Sequence, residues 1–301
     1  MAEKGSHLHE RACAALDLPM EERLVHMRRS RWIGYPRAKQ ILSQLEEVLT
    51  YPKTSRMPSL LVVGDTNAGK TMIANRFVQL HPGYHRPRRA AIVVPVLLMQ
   101  APPGPEEGRF YEMLLESLVK TSPPRGRLSL AKQQAQVLQL LQLIDLQLLI
   151  IDDLQNIVAG PVRKQRQFLN VLKSLSNALQ IPLVGLGTPE ALHAIQADPQ
   201  LANRVTPVAL PPWRMDREFL RLLASFEQIL PLRRPSRLIA EPLARTLLAL
   251  SEGNLGDLVA LLTAAAIAAI RSGVEQITAQ VLAELDWMPP SQRGRAAARQ
   301  A

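Results

Sequence analysis

The stretch Leu60-Leu-Val-Val-Gly-Asp-Thr-Asn-Ala-Gly-Lys-Thr71 decides how the chain is read. Four apolar residues with the character of a buried strand run into Gly64, and after four intervening residues come Gly69, Lys70 and Thr71. This is the full G-x-x-x-x-G-K-[ST] spacing of a phosphate-binding loop. Beyond it, Met72-Ile-Ala-Asn-Arg-Phe-Val-Gln-Leu80 carries its apolar residues at helical spacing, so strand, loop and helix follow in the order the motif requires. Gly64 and Gly69 let the backbone curl until the N–H groups of Asp65, Thr66, Asn67 and Ala68 point inward at phosphate oxygens. The helix beginning near Lys70 adds its positive dipole end. Lys70 is placed to reach the β- and γ-phosphates, and the Thr71 hydroxyl to ligate Mg²⁺. A chance glycine-rich turn would not bring the strand and helix with it. The stretch predicts a site for a nucleoside triphosphate.

A second stretch, Leu146-Gln-Leu-Leu-Ile-Ile-Asp-Asp153, ends an apolar strand on two acids. In a parallel α/β sheet such a strand delivers its acid to the carboxyl edge, beside the phosphate loop. There Asp152 would hold Mg²⁺ through water and Asp153 would orient the attacking water. Aspartate is also a good helix cap, so an ordinary strand-to-helix junction reads the same way in isolation. The distance from the phosphate loop favours the metal reading. Ile181-Pro-Leu-Val-Gly-Leu-Gly-Thr188 is a further buried strand. Thr188 at its tip is placed either to touch the γ-phosphate or water, or to cap a helix opening at Pro189-Glu190.

The bulk composition sets outer limits. Apolar residues form 47% of the 301 and aromatics only 4%, so the core is aliphatic. That length suits one large domain and a smaller one. No apolar run reaches the roughly 18 residues of a membrane span, and Met1-Ala-Glu-Lys-Gly-Ser-His7 lacks the layout of a signal peptide. Cys13 is the one cysteine, which leaves no internal disulfide and no cysteine-based zinc site. These features predict a cytoplasmic protein without a membrane partner. Lysine and arginine exceed the acids by 36 to 26. The excess fits a polyanionic partner or simply a solvated basic surface. Its distribution favours nucleic acid. Residues 117–144 hold no acid but include Lys120, Arg125, Arg127 and Lys132, and residues 154–189 hold none but include Arg163, Lys164, Arg166 and Lys173.

Elsewhere the pattern gives an α/β core, a mostly parallel sheet with helices on both faces, followed by an all-helical segment. Residues 1–30 read as a partly flexible arm, 31–211 as the core, 212–288 as a small helical domain, and the Arg/Ala/Gln-rich 289–301 as a disordered basic tail. Helices are expected over 38–49, 107–119, 129–144, 161–179, 213–230, 240–251, 255–271 and 278–285. Pro95 inside the apolar run 90–100 argues for an edge strand or a bulge.

Beyond single motifs, the chain resembles the TniB family, relatives of the TnsC transposition regulators, over roughly Arg29 to Leu285. The resemblance rests on Trp32-Ile-Gly-Tyr-Pro-Arg-Ala38, on Arg56-Met-Pro-Ser-Leu60 leading into the phosphate loop, and on Ile150-Ile-Asp-Asp-Leu-Gln-Asn-Ile157 followed by Gly160 and Phe168-Leu-Asn-Val-Leu-Lys-Ser-Leu-Ser-Asn177. It implies an AAA+ P-loop ATPase that binds ATP and Mg²⁺ and assembles on double-stranded DNA as a ring or helical filament. It would recruit or activate a DDE transposase with a TniQ-like adaptor. Residue by residue, Ile33, Gly34 and Tyr35 match the segment that lies against adenine. Arg204 matches the arginine finger that completes a neighbour's site, although a surface arginine at a helix end would read alike. Two departures stand out. Asp153 occupies the place of the family's usual glutamate, and Gly253-Asn-Leu-Gly-Asp-Leu258 offers no arginine where AAA+ proteins carry one. Both point to a slow, ATP-gated switch. Two rivals keep the same loop: a helicase loader or remodeller with rapid turnover, and an ATP-sensing signalling ATPase whose basic segments are solvated surface.

Overall fold

The computed structural model describes residues 6–86, 92–118 and 128–293, with the side chains of Pro199 and Leu201 left aside. It divides into two compact units, one of residues 37–210 and one joining 1–36 to 211–301.

In the first unit the strands are β1 (Ser59–Val63), β2 (Tyr84–His85), β3 (Ile92–Val93), β4 (Val96–Gln100), β5 (Leu148–Asp152), β6 (Leu183–Gly187) and β7 (Val205–Ala209). Five of them form a sheet in the order β4-β5-β6-β1-β7 with every pairing parallel, while β2 and β3 make a separate antiparallel pair. Central strands of a parallel sheet are covered on both faces, which is why they read as unbroken apolar runs. Leu61, Leu149 and Ile151 pack on one face with Phe110, Tyr111 and Leu114 of helix Glu107–Leu118, with Val137 and Leu141 of helix Leu130–Leu143, and with Phe168 and Leu172 of helix Val162–Leu179. The alternate residues Leu60, Val62, Leu148, Ile150 and Val184 are buried as well. Helix Lys70–Leu80, with Ile73, Ala74 and Phe77 buried, lies against β4 and β6. The result is a three-layer core.

Pro95 does what its missing N–H predicts. It interrupts the apolar run, leaving β3 and β4 on either side, and β4 is an edge strand of the main sheet. Its carbonyl still accepts from the N–H of Gln147 and of Leu148, each at 3.0 Å. Pro207 also sits in an edge strand, β7. Because all five strands run the same way, their carboxyl ends, Gln100, Asp152, Gly187, Val63 and Ala209, share one edge of the sheet. The chain leaves β1 for the far edge at β4 and returns through β5 and β6, which makes that edge beside β1 the natural ligand position.

The second unit is helical. The N-terminal residues build helices Glu10–Ala14 and Met20–Arg28, with Leu16, Leu24 and Met27 buried. Arg23 is only 4% exposed. It donates to both carboxylate oxygens of Glu275, at 2.9 and 2.7 Å, and to the Pro231 carbonyl at 2.7 Å. An unpaired buried guanidinium would be prohibitive, so this fork ties the N-terminal segment to the C-terminal helices. Burial pushes the Glu275 carboxyl upward, but the Arg23 hydrogen bonds and the Arg233 N–H outweigh it and leave the group below its usual range.

The remaining helices are Arg217–Ile229, Glu241–Ser251, Leu255–Arg271 and Ala279–Ala283. The helix expected from Trp213 starts four residues later. Asp216 accepts from the Phe219 N–H at 2.8 Å and so caps it, while the Trp213 N–H is committed to the Gly253 carbonyl. Of the segment expected to be a disordered tail, residues 291 and 293 are held to the unit. Ser291 bonds the Glu252 carboxylate and Arg293 reaches Asp257 at 2.6 Å. No single helix among the described residues is long and apolar enough to cross a membrane.

Candidate nucleotide site

The phosphate loop leaves β1 at Gly64, whose N–H donates to the Gly187 carbonyl at 3.1 Å and so fixes the loop's start against β6. Asn67 and Gly69 both take left-handed backbone, φ 67° and 98°. Asparagine tolerates that region and glycine occupies it without strain, so the turn into helix Lys70–Leu80 is built from residues suited to it. Inside the curl lies Lys70, 8% exposed, its Nζ donating to the carbonyls of Gly64 at 2.7 Å and Asp65 at 2.8 Å. Burial holds its ammonium below the usual lysine range, with Asp152, Asp153 and Asp65 pulling the other way.

At the start of that helix, the Thr71 hydroxyl donates to Asp152 Oδ2 at 2.6 Å, joining residues 81 positions apart. Asp152 is 4% exposed, and its other oxygen accepts from the Asp153 N–H at 2.8 Å. A hydroxyl and a carboxylate converging beside a helix N-terminus is an oxygen donor set suited to Mg²⁺, which keeps few protein ligands and shares the rest with phosphates and water. Among the described residues, no group of three or more His, Cys, Asp or Glu could cage a metal unaided. The residues therefore fit a phosphate-borne Mg²⁺ and not a dedicated metal centre.

Asp153 has φ 54°, an unusual state for a non-glycine residue, and opens the 3-10 turn Leu154–Ala159 without capping it through its side chain. Gln155 Nε2 donates to Asp153 Oδ1 at 3.0 Å, and Gln100 Nε2 stands 3.5 Å from Oδ2. The turn closes over β6 because that strand lacks a side chain at the contact. A Cβ on Gly185 would stand 2.6 Å from Leu154 and 2.8 Å from Leu61. Thr188 occupies the N-cap position of helix Pro189–Gln196, yet its side chain makes no cap bond. Its hydroxyl is buried and forms no hydrogen bond of regular geometry, although it lies close enough to the Glu190 carboxylate to hold that group below its usual range.

Gly64, Asp65, Thr66, Asn67, Ala68, Gly69, Lys70, Thr71, Asp152, Asp153 and Thr188 thus belong to the β1, β5 and β6 tips of one unit. Ile33, Gly34 and Tyr35 lie outside it, in the helical unit, where the buried Tyr35 ring meets Trp213 edge-on at 5.0 Å. Arg204 precedes β7 at the opposite edge of the sheet. Its carbonyl accepts from the Ser59 N–H at the foot of β1, and its guanidinium donates to Asn177 Oδ1 at 3.0 Å. Arg163 and Lys164 are exposed in the first turn of helix Val162–Leu179, with Arg166 exposed beside them. Lys120, Arg125 and Arg127 lie outside the described residues. A cleft of about 630 Å³ is away from the loop, lined by Glu107, Tyr111, Gln134, Lys164 and Phe168. Sequence reasoning missed Gln155 and Gln100. Only their places, two residues past Asp153 and at the end of a strand before Ala101-Pro, could have hinted at them.

No curated protein sequence matches the chain. Among solved structures, the Aeropyrum pernix Orc1 protein in complex with DNA is similar at 16% identity and TM-score 0.58, covering 91% of this chain and 69% of that one. Cdc6p from Pyrobaculum aerophilum is similar at 19% identity and TM-score 0.58, over 84% and 67%. The Aeropyrum pernix Orc2 protein in its ADPNP–ADP complexes is similar at 15% and 0.56, over 85% and 70%. At such identities the likeness fixes the fold alone, a P-loop AAA+ core with a helical C-terminal region. The profile of the family described as Bacterial TniB protein matches residues 23–215, a span that runs from the N-terminal helices through the phosphate loop, Asp152 and β7. The chain is a member of the TniB family.

Proposed function

We propose that this protein is an ATP-dependent DNA-binding regulator of transposition. It assembles on double-stranded DNA into a ring or helical filament, recruits or activates a DDE transposase with a TniQ-like adaptor, and hydrolyses ATP slowly. The observation that carries the reading is the convergence of Lys70, Thr71 and Asp152 at one sheet edge, with Asp153 beside them and Arg204 at the other edge. Family membership supports the transposition setting. The DNA-bound Orc1 and the nucleotide-bound Orc2 support the two ligands.

In this reading Lys70 and the loop N–H groups bind the phosphates, and Thr71 and Asp152 hold Mg²⁺, which neutralises phosphate charge when bound. Asp153 orients water, and Ile33, Gly34 and Tyr35 receive adenine. Arg163 and Lys164, with Lys120, Arg125 and Arg127, bind the DNA backbone. The lid lies over 212–288 and the core over 31–211.

Imaging the protein on duplex DNA with a non-hydrolysable ATP analogue tests it. Ordered oligomers that need both ligands are expected. Persistent monomers would overturn the reading, and turnover above about 10 per second, within the usual enzyme range, would favour a remodelling motor.

A further inference from the structure

Gln155 uses the two ends of its amide differently. Its Nε2 donates to Asp153 Oδ1 at 3.0 Å, while its Oε1 is buried and has no hydrogen-bond partner. The orientation is set by chemistry, since only the NH₂ end can face a carboxylate. The oxygen is therefore the free end. A buried acceptor without a donor is costly and calls for an account.

Its surroundings supply one. The Gln155 N–H lies 3.8 Å from where a Cβ on Gly187 would stand, so the residue sits where the tips of β5 and β6 meet. Thr188, next along from Gly187, holds a second buried hydroxyl without a regular hydrogen bond. Asp153 is kept in its left-handed backbone state by the turn that carries Gln155, the Asn156 N–H bonding the Asp153 carbonyl at 2.9 Å. Oxygen and nitrogen of an amide leave the same carbon, so the free Oε1 is held next to the nitrogen that the Asp153 carboxylate binds.

We propose that Gln155 is a catalytic residue of the hydrolytic site, sharing the attacking water with Asp153. Asp153 carries one methylene fewer than a glutamate. The amide supplies the missing reach by fixing the carboxylate at one end and accepting a hydrogen bond from the water at the other. The water oxygen bonds to the γ-phosphorus as the bond from that phosphorus to the β–γ bridging oxygen breaks, its electron pair leaving on ADP. One water proton passes to Asp153 and on to solvent. The other, directed by Gln155 Oε1, stays with the phosphate. The inference rests on the ATPase reading above.

The test uses the full-length chain with DNA, single-turnover hydrolysis of γ-labelled ATP, and binding of a fluorescent ATP analogue. Gln155→Ala is expected to slow the chemical step about 10- to 100-fold, the scale of losing a positioning group, with analogue affinity within about twofold of the parent. Asp153→Glu in the Gln155→Ala background should recover most of the loss. Adding Gln155→Ala to Asp153→Asn should cost nothing further. If Gln155→Ala folds poorly, the near-isosteric Gln155→Met carries the same expectation. A parental rate in the Gln155 variants, alongside a slow Asp153→Asn, overturns this inference and leaves the ATPase reading standing. Loss of analogue binding in a folded Gln155 variant also overturns it, since the residue would then shape the loop. A parent chain that binds the analogue without hydrolysing it overturns both, and one that binds no analogue overturns the ATPase reading at its root.

Discussion

Lys70 shows how one residue can weaken the fold that holds it. Its ammonium is buried among backbone carbonyls, and burial lowers its affinity for a proton. A lysine whose folded value lies below its unfolded value of 10.5 costs stability in its charged form. That cost is fully present at neutral pH and disappears only as pH rises through the folded value towards the unfolded one. Bound phosphates would offset it. Lys70→Met should therefore leave the melting temperature without nucleotide within about 3 °C of the parent, the removed charge cost balancing two missing hydrogen bonds. The same change should abolish the stabilisation by ATP, about 2.7 kcal/mol at one hundred times the dissociation constant. Thermal melts with and without Mg-ATP measure both, and a preserved ATP shift would remove Lys70 from the site. At this scale spacing made Lys70 and Thr71 visible, because the loop's chemistry is local. Gln155 was invisible, because its partner is set by a left-handed turn over Gly185 that no local pattern announces.

Helix Val162–Leu179 answers two opposed demands. Phe168, Leu169, Leu172, Leu175 and Leu179 bury one stripe at helical spacing, which made the element legible. Its first turns instead expose Arg163, Lys164 and Arg166, cations at the positive end of the dipole, where acids are favoured. In the proposed reading these charges, unfavourable for the helix itself, are there for the DNA backbone. Arg163→Glu with Lys164→Glu should raise or preserve stability, by about 0.3–1 kcal/mol for each relieved charge. It should also weaken DNA binding and flatten its dependence on salt, by a log–log slope of roughly 0.9 for each phosphate no longer neutralised. Analogue binding should not change. Titrations at several salt concentrations read the slope, and an unaltered slope would make this end ordinary surface. Boundaries were less legible than elements. Pro95 split one apolar run between two sheets through the N–H it lacks, and Asp216 moved a helix start past Trp213 through one carboxylate.

At the scale of the molecule, Arg204 cannot serve its own nucleotide. The Ser59 N–H bonds its carbonyl at the foot of β1, and the phosphate loop leaves the same strand at its other end. Five residues of strand span roughly 15 Å, more than an arginine side chain can reach. In the proposed reading Arg204 is an arginine finger, and from that edge it would act only on a second copy, so that hydrolysis would belong to the assembly. Sequence could match Arg204 to such a role but could not supply this geometry, since the edge it occupies depends on β1 and β7 pairing in parallel across 145 intervening positions. Complementation between subunits follows. Lys70→Met alone lacks a filled site, and Arg204→Ala alone lacks a finger, so each should hydrolyse at least tenfold slower than the parent. Mixed in equal amounts with DNA, the two form junctions in which an intact loop from the Arg204→Ala copy faces an intact finger from the Lys70→Met copy. Those junctions should restore about a quarter of the parental rate, as random assembly places the productive order at one interface in four. A mixture no faster than the average of its two components would show that Arg204 has no part in a neighbour's site, and its bond to Asn177 would then be its whole role.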